Sequence, residues 1–407
     1  MSSFWKKVVL GLSVLVLAYA GVGYTLGKTG SDKTYLPLTV YSEVLDHIQN
    51  DYVEDPDIHK VTVGALHGLL DSLDPQSSYL SPLEYTDYEK KLKDESKGEV
   101  GVFLSKRFGY IIVVSELPDS PAVKAGLRDG DLLESIAGFS TTQMSVGQAQ
   151  VLLTGDPGQT VKVEVIRRTT PDPFDLTLTY AKLQPPHLLQ ENLQNEIAYL
   201  RVPAFENGTT EQIRQKLAQF QQQGAKKLIL DLRDCASGPD DEGISTAQLF
   251  LSSGTIGTLK GQTVSTQSFS ADASRQVWKS PMTVLISNGT AGPAEILAAA
   301  VADNHRGDTV GEQTFGTASQ QKLITLDDGA AIILTVANYY TPDGKSIPKD
   351  GVAPTVNVQP QVLSDVAQLN QDELARPPPG QLPSADDPVM KKAIEILSAP
   401  AAAPKAA

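Results

Sequence analysis

The chain has 407 residues, of which 41% are hydrophobic and 20% charged, so it is globular in composition and too long for one ordinary domain. Its formal net charge of −14 argues against a nucleic-acid partner, since no stripe of Lys and Arg is present to neutralise phosphates. The single cysteine, Cys235, excludes an internal disulfide and cysteine-rich metal sites, and the histidines form no His-Glu-x-x-His motif. No metal or other cofactor is therefore predicted.

The first predicted element is an export segment within residues 1–30. Lys6 and Lys7 precede an apolar run from Val8 to Tyr24, which is at the lower edge of the length needed to span a bilayer. We favour an uncleaved signal anchor with its basic flank in the cytoplasm, and cleavage after an Ala-Tyr-Ala sequence is the alternative. Either route predicts a cell-envelope location with the bulk of the chain extracytoplasmic, which means periplasmic in a Gram-negative bacterium.

A helical region is predicted over residues 31–96. Apolar residues recur at three- and four-residue spacing in Val44–Tyr52 and again in Val61–Leu73, which is typical of amphipathic helices. The buried stripe expected on the second helix consists of Leu66, Leu69, Leu70 and Leu73.

Residues 97–183 contain a helix-and-turn motif that begins at Ser120. Ser120 is expected to cap a short helix, Pro121 to take its first position and Gly126 to end it. The motif resembles the signature of PDZ domains, in which a peptide adds a strand to the sheet and backbone N–H groups hold its C-terminal carboxylate. The loop departs from the usual G-L-G-F form and is one residue shorter, so a PDZ domain that captures no peptide is the alternative. The residues expected to hold the carboxylate are Val100, Gly101, Val102 and Phe103.

Residues 184–360 read as a mixed α/β core, so the chain as a whole is predicted to be an α/β multidomain protein. Short apolar strands alternate with helices, which indicates a largely buried sheet. A Pro/Ala-rich tail over residues 361–407 contains one further predicted helix, Asp387–Leu397. The predicted strands of the core are Ile197–Val202, Leu228–Leu232, Met282–Ser287 and Ile332–Val336, and its predicted helices are Thr210–Gln223, Glu242–Phe250 and Ala294–Asp303.

Two stretches of the core, Ser287–Ile296 and Gly311–Gln321, resemble motifs of the C-terminal processing peptidases, which are PDZ-containing serine proteases of the S41 type. Those motifs read N-x-G-S-A-S-A-S-E-I and G-E-x-T-F-G-K-G-x-x-Q. The resemblance implies a β/α core of the ClpP/crotonase-like spiral type, a Ser/Lys catalytic pair and a homodimer formed with the help of the helical region. Further stretches that resemble family motifs are Leu73–Tyr85, Lys227–Arg233 and Tyr339–Ile347.

The resemblance places Gly292 at the position of the catalytic serine and Thr317 at the position of the lysine. Gln321 takes the position of the glutamine that supports the lysine. A Ser/Lys pair works because an unprotonated amine accepts the serine proton, and neither Gly292 nor Thr317 supplies these groups. Gly238 is kept in the loop that serves the oxyanion hole, but Pro293 has no N–H to donate there.

Two functions follow from these substitutions. The first is a pseudoprotease that binds protein C-termini through the PDZ domain without cutting them. The second is an endopeptidase with a displaced nucleophile, for which Thr290 and Lys322 are the candidate pair. As structural residues, Thr290 is expected to cap the helix that begins near Pro293, Lys322 to be a solvated strand-end lysine and Cys235 to be a small buried side chain.

Overall fold

The computed structural model describes residues 32–168, 170, 172–193, 195–358, 382–383 and 386–399. The predicted export segment lies outside these residues. Within the described part of the chain, no helix is both long and apolar enough to cross a membrane.

Residues 32–65 contain the helix α1 (Asp32–Asp51) and the start of α2 (Ile58–Asp71). Several apolar side chains of α1 are exposed, including Leu36, Leu38 and Val44.

The predicted buried stripe of α2 is wrong. Leu70 is buried and Leu66 is half-buried, but Leu69 is 60% exposed and Leu73 is 61% exposed. The helix packs through His67 and Leu70, and the His67 ring contacts the Tyr79 ring edge-on. Because the helix ends at Asp71, Leu73 no longer shares a face with the other leucines.

The region that follows holds α3 (Pro82–Lys93), whose first turn is closed by a capping box between Ser81 and Glu84. It also contains the short strand β1 (Ser78–Leu80), which the sequence did not predict.

The PDZ region is an antiparallel sheet in the order Val102–Arg107, Tyr110–Glu116, Leu132–Ile136, Thr160–Ile166 and Phe174–Thr179. A short strand at Phe139–Ser140 pairs with the third of these, and Gly98–Glu99 pairs separately with Thr154–Gly155. The predicted helix caps are confirmed, because the Ser120 side chain accepts the N–H of Val123 and Gly126 ends the helix with φ +86°. The elements are β2 (Gly98–Glu99), β3 (Val102–Arg107), β4 (Tyr110–Glu116), α4 (Pro121–Ala125), β5 (Leu132–Ile136), β6 (Phe139–Ser140), α5 (Val146–Leu152), β7 (Thr154–Gly155), β8 (Thr160–Ile166) and β9 (Phe174–Thr179).

Three of the four strands predicted for the buried sheet of the core lie in one six-stranded sheet, in the order Leu189–Leu193, Ile197–Arg201, Lys227–Asp231, Met282–Ile286, Asp308–Gly311 and Val356–Asn357. The fourth, Ile332–Val336, was assigned to the wrong sheet, because it pairs with other strands. The first two strands of the six-stranded sheet are antiparallel, and all its other neighbours are parallel. Its elements are β10 (Leu189–Leu193), β11 (Ile197–Arg201), α6 (Thr209–Gln222), β12 (Lys227–Asp231), α7 (Asp240–Gln248), β15 (Met282–Ile286), α8 (Pro293–Asp303), β16 (Asp308–Gly311), α9 (Ile347–Asp350) and β19 (Val356–Asn357).

A second sheet of the core, which the sequence did not predict, is centred on β18 (Ala331–Tyr340). One edge of β18 pairs with β17 (Ser319–Thr325). The other edge is shared by β1, at residues 331–333, and by β13 (Thr255–Lys260), at residues 338–340. β13 in turn pairs with β14 (Gln267–Ser270).

The predicted helix of the tail is confirmed as α10 (Pro388–Ser398), which packs on the six-stranded sheet. Its residues Met390, Ala393 and Leu397 are buried. At its start, Asp387 accepts a 2.6 Å hydrogen bond from Arg233, and both side chains are buried. The helix is thus joined to the loop that follows β12.

Candidate active site

The two positions predicted to have carried catalysis lie side by side. Gly292 is the N-cap of α8, and its backbone N–H donates to Thr317 Oγ1 at 3.1 Å across 25 residues of sequence. Thr317 is buried on the loop that leads into β17. The fold therefore brings the two positions together, but they present a bare backbone and a hydroxyl.

The backbone at Gly292 has an unusual conformation, with φ +57° and ψ −123°. A residue with a side chain is strained there, typically by about 1–3 kcal/mol. Space is not the obstacle, because a Cβ at this position would meet only the Ala236 carbonyl oxygen, at 3.6 Å. The site thus has room for a side chain that the sequence does not supply.

A buried carboxylate, Glu295, holds both loops in place. It accepts hydrogen bonds from the N–H of Gly292 at 3.0 Å, Gly316 at 2.7 Å and Thr317 at 2.8 Å. The Thr314 hydroxyl and a further backbone N–H also donate to it. Burial raises the pKa of Glu295, and these donors oppose the rise because they stabilise the charged form. Glu295 is the third residue of α8, which is the spacing of a capping box and the one local signal in the sequence for this role.

One backbone N–H donor of the oxyanion hole is missing from the site. Pro293 is the first residue of α8 and has no N–H. The loop that carries Gly238 is fixed by close backbone contact, because a Cβ on Gly238 would lie 1.5 Å from the Phe205 carbonyl oxygen. Gly238 has φ +118°, so only glycine fits this approach.

A titratable carboxyl follows this loop at Asp240, the first residue of α7. Burial raises its pKa to about 7, and the negative charges of Asp241 and Glu295 add to the rise. A hydrogen bond with Tyr339 opposes it. Asp240 is therefore a carboxyl group near the site whose raised pKa no motif in the sequence indicates.

The candidate displaced nucleophile, Thr290, is fully buried and already engaged. Its hydroxyl donates to the Leu232 carbonyl at 2.8 Å and accepts the N–H of Ser287 at 2.9 Å. The expectation that Thr290 caps α8 is wrong, because the N-cap is Gly292. Lys322 is exposed on β17, as expected of a solvated lysine.

Cys235 is a small buried residue, as predicted. Burial raises the pKa of its thiol, so it does not supply a thiolate at neutral pH. No group of three His, Cys, Asp or Glu residues that could hold a metal ion occurs among the described residues.

Gln321 reaches the lysine position through an intermediate side chain. Its Nε2 donates to Ser319 Oγ at 2.8 Å, and that hydroxyl donates to the Thr317 carbonyl at 2.8 Å. Gln321 thus supports the backbone of Thr317.

The PDZ region contacts the loops of this site. Val114 of β4 packs against Ala236 and Ala291, with Phe103 and Phe315 beside them. The Arg107 guanidinium also lies over the Phe315 ring, 4.3 Å from the ring centroid.

The predicted carboxylate loop leads into β3, the edge strand of the PDZ sheet. The carbonyl of Val100 accepts the N–H of Ala122, and the carbonyl of Gly101 accepts the N–H of Leu117, both at 2.9 Å. Val102 and Phe103 begin the strand. The loop is therefore tied to the start of α4 through its carbonyls.

Comparison with known proteins gives matches to both parts of the chain. The sequence profile of peptidase family S41 matches residues 196–358, and that of a PDZ domain matches residues 112–167. The carboxy-terminal processing protease CtpA of Bacillus subtilis is 30% identical over 88% of this chain and 76% of its own length. The carboxyl-terminal-processing protease of Synechocystis sp. is 31% identical, over 82% of this chain and 79% of its own length. Among solved structures, the photosystem II D1 C-terminal processing protease aligns with a TM-score of 0.66 and 26% identity, over 82% of this chain and 96% of that one.

Proposed function

This chain belongs to the C-terminal processing peptidases of family S41 and contains a PDZ domain, and from that premise we propose that it binds protein C-termini without cleaving them. The observation that carries the proposal is the 3.1 Å contact between the Gly292 N–H and Thr317 Oγ1. Gly292 lacks the nucleophilic hydroxyl of a Ser/Lys pair, and Thr317 lacks its amine. Loss of one catalytic group already costs several powers of ten in rate.

Capture of a C-terminus is assigned to the loop Val100–Phe103 and to β3. An extended peptide adds to an open sheet edge, and β3 is at the edge of its sheet. Because Phe103 and Val114 pack beside the loops that carry Gly292 and Phe315, a bound peptide would lie close to the inactive site.

The chain is further proposed to be anchored in the cell envelope through residues 1–30, with its bulk extracytoplasmic. A homodimer is proposed because Leu36, Leu38 and Val44 of α1 are exposed. Membrane fractionation with protease accessibility tests the first proposal, and the mass of the full chain in detergent, measured with and without Leu38→Glu, tests the second.

The experiment that tests the main proposal is an overnight digestion. The full chain is incubated with casein at several pH values, beside the double variant Gly292→Ser, Thr317→Lys. We expect no products from the native chain, together with binding of a peptide that has a free C-terminal carboxylate and weaker binding of its amidated form. Cleavage by the native chain that is lost on Thr290→Ala would overturn the proposal in favour of a displaced nucleophile.

A further inference from the structure

A cavity of about 570 Å³ opens beside β18, in the size range of ligand sites. Its walls come from five parts of the chain: the turn before β1, the end of β13 with the residues that follow it, the start of β17, the second half of β18 and the start of α9. It is separate from the space at Gly292, although Ser319 lines it. Its lining residues include Asp74, Lys260, Ser319, Val336, Asn338 and Tyr340.

The cavity lies where one edge of β18 has no strand partner. β1 pairs with residues 331–333 and β13 with residues 338–340, so residues 334–337 lie in a gap between two strands of the same sheet. On the other edge, Gln320 pairs with Ala337 and Gln321 with Thr335, so Val336 is the extra residue of a β-bulge. A gap of four residues is about 13 Å long, at roughly 3.3 Å per residue. The backbone of Gly261 closes part of this gap, because a Cβ on Gly261 would lie 2.1 Å from the Val336 carbonyl oxygen. A short extended peptide therefore lies along the cavity without adding a strand to β18.

Some polar groups of β18 in this gap already have hydrogen-bond partners within the protein, so they are not available to a ligand. The Thr335 N–H donates to Ser77 Oγ at 3.2 Å. Asp74 accepts hydrogen bonds from the N–H of Gln76, the N–H and hydroxyl of Ser77, and the Thr335 hydroxyl. The Asp74 carboxylate is therefore occupied by the protein itself, and the groups left for a ligand lie toward β13.

Those groups form one row across three strands. Ser319 is directly opposite Asn338, and Asn338 is directly opposite Lys260, so the three side chains share a face of the sheet. Asn338 Oδ1 is shielded from solvent and has no hydrogen-bond partner among the described residues. A buried acceptor without a donor is costly, and a peptide N–H would satisfy it.

The charge in this row is positive. The Lys260 ammonium lies 4.7 Å from the Tyr340 ring centroid, and no carboxylate pairs with it among the residues that the structure describes. A ligand carboxylate would give this ammonium a charge-assisted hydrogen bond, which is stronger than a neutral one.

We propose that this cavity is a second peptide site, which takes an extended segment with an acidic side chain. The segment lies in the cavity beside β18, donates an N–H to Asn338 Oδ1 and places its carboxylate on Lys260. The site needs no free C-terminus, so it is independent of capture by the PDZ loop.

The test uses two fluorescein-labelled, C-terminally amidated pentapeptides, AVEVA and AVKVA in one-letter code, and the full chain in detergent. Amidation removes the terminal carboxylate that the PDZ loop would hold, so failure of one site does not mimic failure of the other. Fluorescence anisotropy gives the affinities of the native chain and of Lys260→Glu. The matched control is Lys322→Glu, an equal charge change on exposed β17 outside the cavity.

We expect the native chain to prefer the glutamate peptide by at least tenfold. Lys260→Glu should reverse that preference, whereas Lys322→Glu should change either affinity by less than twofold. Asn338→Leu should weaken both peptides about equally, because it removes an acceptor for the backbone. The inference is overturned if neither amidated peptide binds at millimolar concentration, if the two charge variants behave alike, or if a peptide with a free C-terminus displaces AVEVA.

Discussion

Pro293 should limit any attempt to restore proteolysis. In the Gly292→Ser, Thr317→Lys background, adding Pro293→Ala should raise the rate of casein cleavage by about 10²–10³-fold, which is the usual value of one oxyanion donor, about 2.7–4 kcal/mol. Pro293 is the first residue of α8, and the N–H of a first helical residue has no partner within the helix. Alanine would therefore supply a free donor next to the restored serine, at the positive end of the helix.

The stability of the triple variant should fall while its rate of casein cleavage rises. Serine at Gly292 enters a backbone with φ +57°, at a cost of about 1–3 kcal/mol. Removing the proline costs a further 0.4–1 kcal/mol or so, through the entropy of the unfolded chain. A faster enzyme that is also less stable would separate the donor effect from general stabilisation.

The assay is the initial rate of release of acid-soluble fragments from labelled casein, with thermal unfolding of each variant in parallel. Pro82→Ala in the same double background is the matched control, because Pro82 is the first residue of α3. It should lower stability slightly and leave the rate unchanged. If the triple variant cleaves no faster than the double variant, the assignment of Pro293 as the missing donor is refuted.

Three further predictions concern stability and binding. Because burial raises the pKa of Asp240 to about 7 from an ordinary value near 3.9, the native state favours the protonated form and loses stability as pH rises from about 4 to about 7. Asp240→Asn should therefore be about 1–2 kcal/mol more stable than the native chain in urea unfolding at pH 8, with no gain at pH 4. Asp387→Ala should cost about 1.5–3 kcal/mol and expose α10 to hydrogen exchange, since it removes one buried charged hydrogen bond of Arg233, whose ion pair with Asp231 remains. Asp386→Ala, at an exposed ion pair, should cost less than about 0.5 kcal/mol. Gly101→Ala should abolish the preference for a free C-terminus in peptide anisotropy, because φ is +81° and its Cβ would lie 2.4 Å from the side chain that caps α4.

Each of these has an outcome that would contradict it. Equal stability gains for Asp240→Asn at both pH values would show that the gain does not come from the ionisation of its carboxyl. Unchanged hydrogen exchange in Asp387→Ala would mean that the apolar face of α10 alone holds the helix. Full retention of carboxylate preference in Gly101→Ala would move the capture site away from the PDZ loop.

The sequence predicted those parts of the fold whose signals are local. Three strands of the parallel sheet, β11, β12 and β15, are largely apolar runs, and the short PDZ helix is marked by Ser120, Pro121 and Gly126, so these elements were predicted. The short strands β16 and β19 were not. β17 was missed because it is mostly exposed and lacks an apolar run. β18 was predicted at only half its length because the bulge at Val336 interrupts its alternation.

The candidate site was also predicted only in part. The pairing of Gly292 with Thr317 was predicted because a motif fixed both positions. The role of Glu295 was not, because most of its donors are backbone N–H groups whose directions no sequence pattern records. Thr290 was misassigned because a threonine near a helix start also finds acceptors in a neighbouring strand, here the Leu232 carbonyl.

The attachment of both loops to Glu295 has a consequence for how such a protein changes over time. The shape of the cleft depends on main-chain donors meeting one carboxylate, and main-chain donors survive almost any substitution. Substitutions at Gly292 and Thr317 therefore leave these hydrogen bonds in place, and their main cost to folding is the backbone strain of a side chain at Gly292. A substitution of Glu295 removes the acceptor itself and should disrupt the cleft. A lineage can lose the reaction in two steps and still inherit the architecture that once served it.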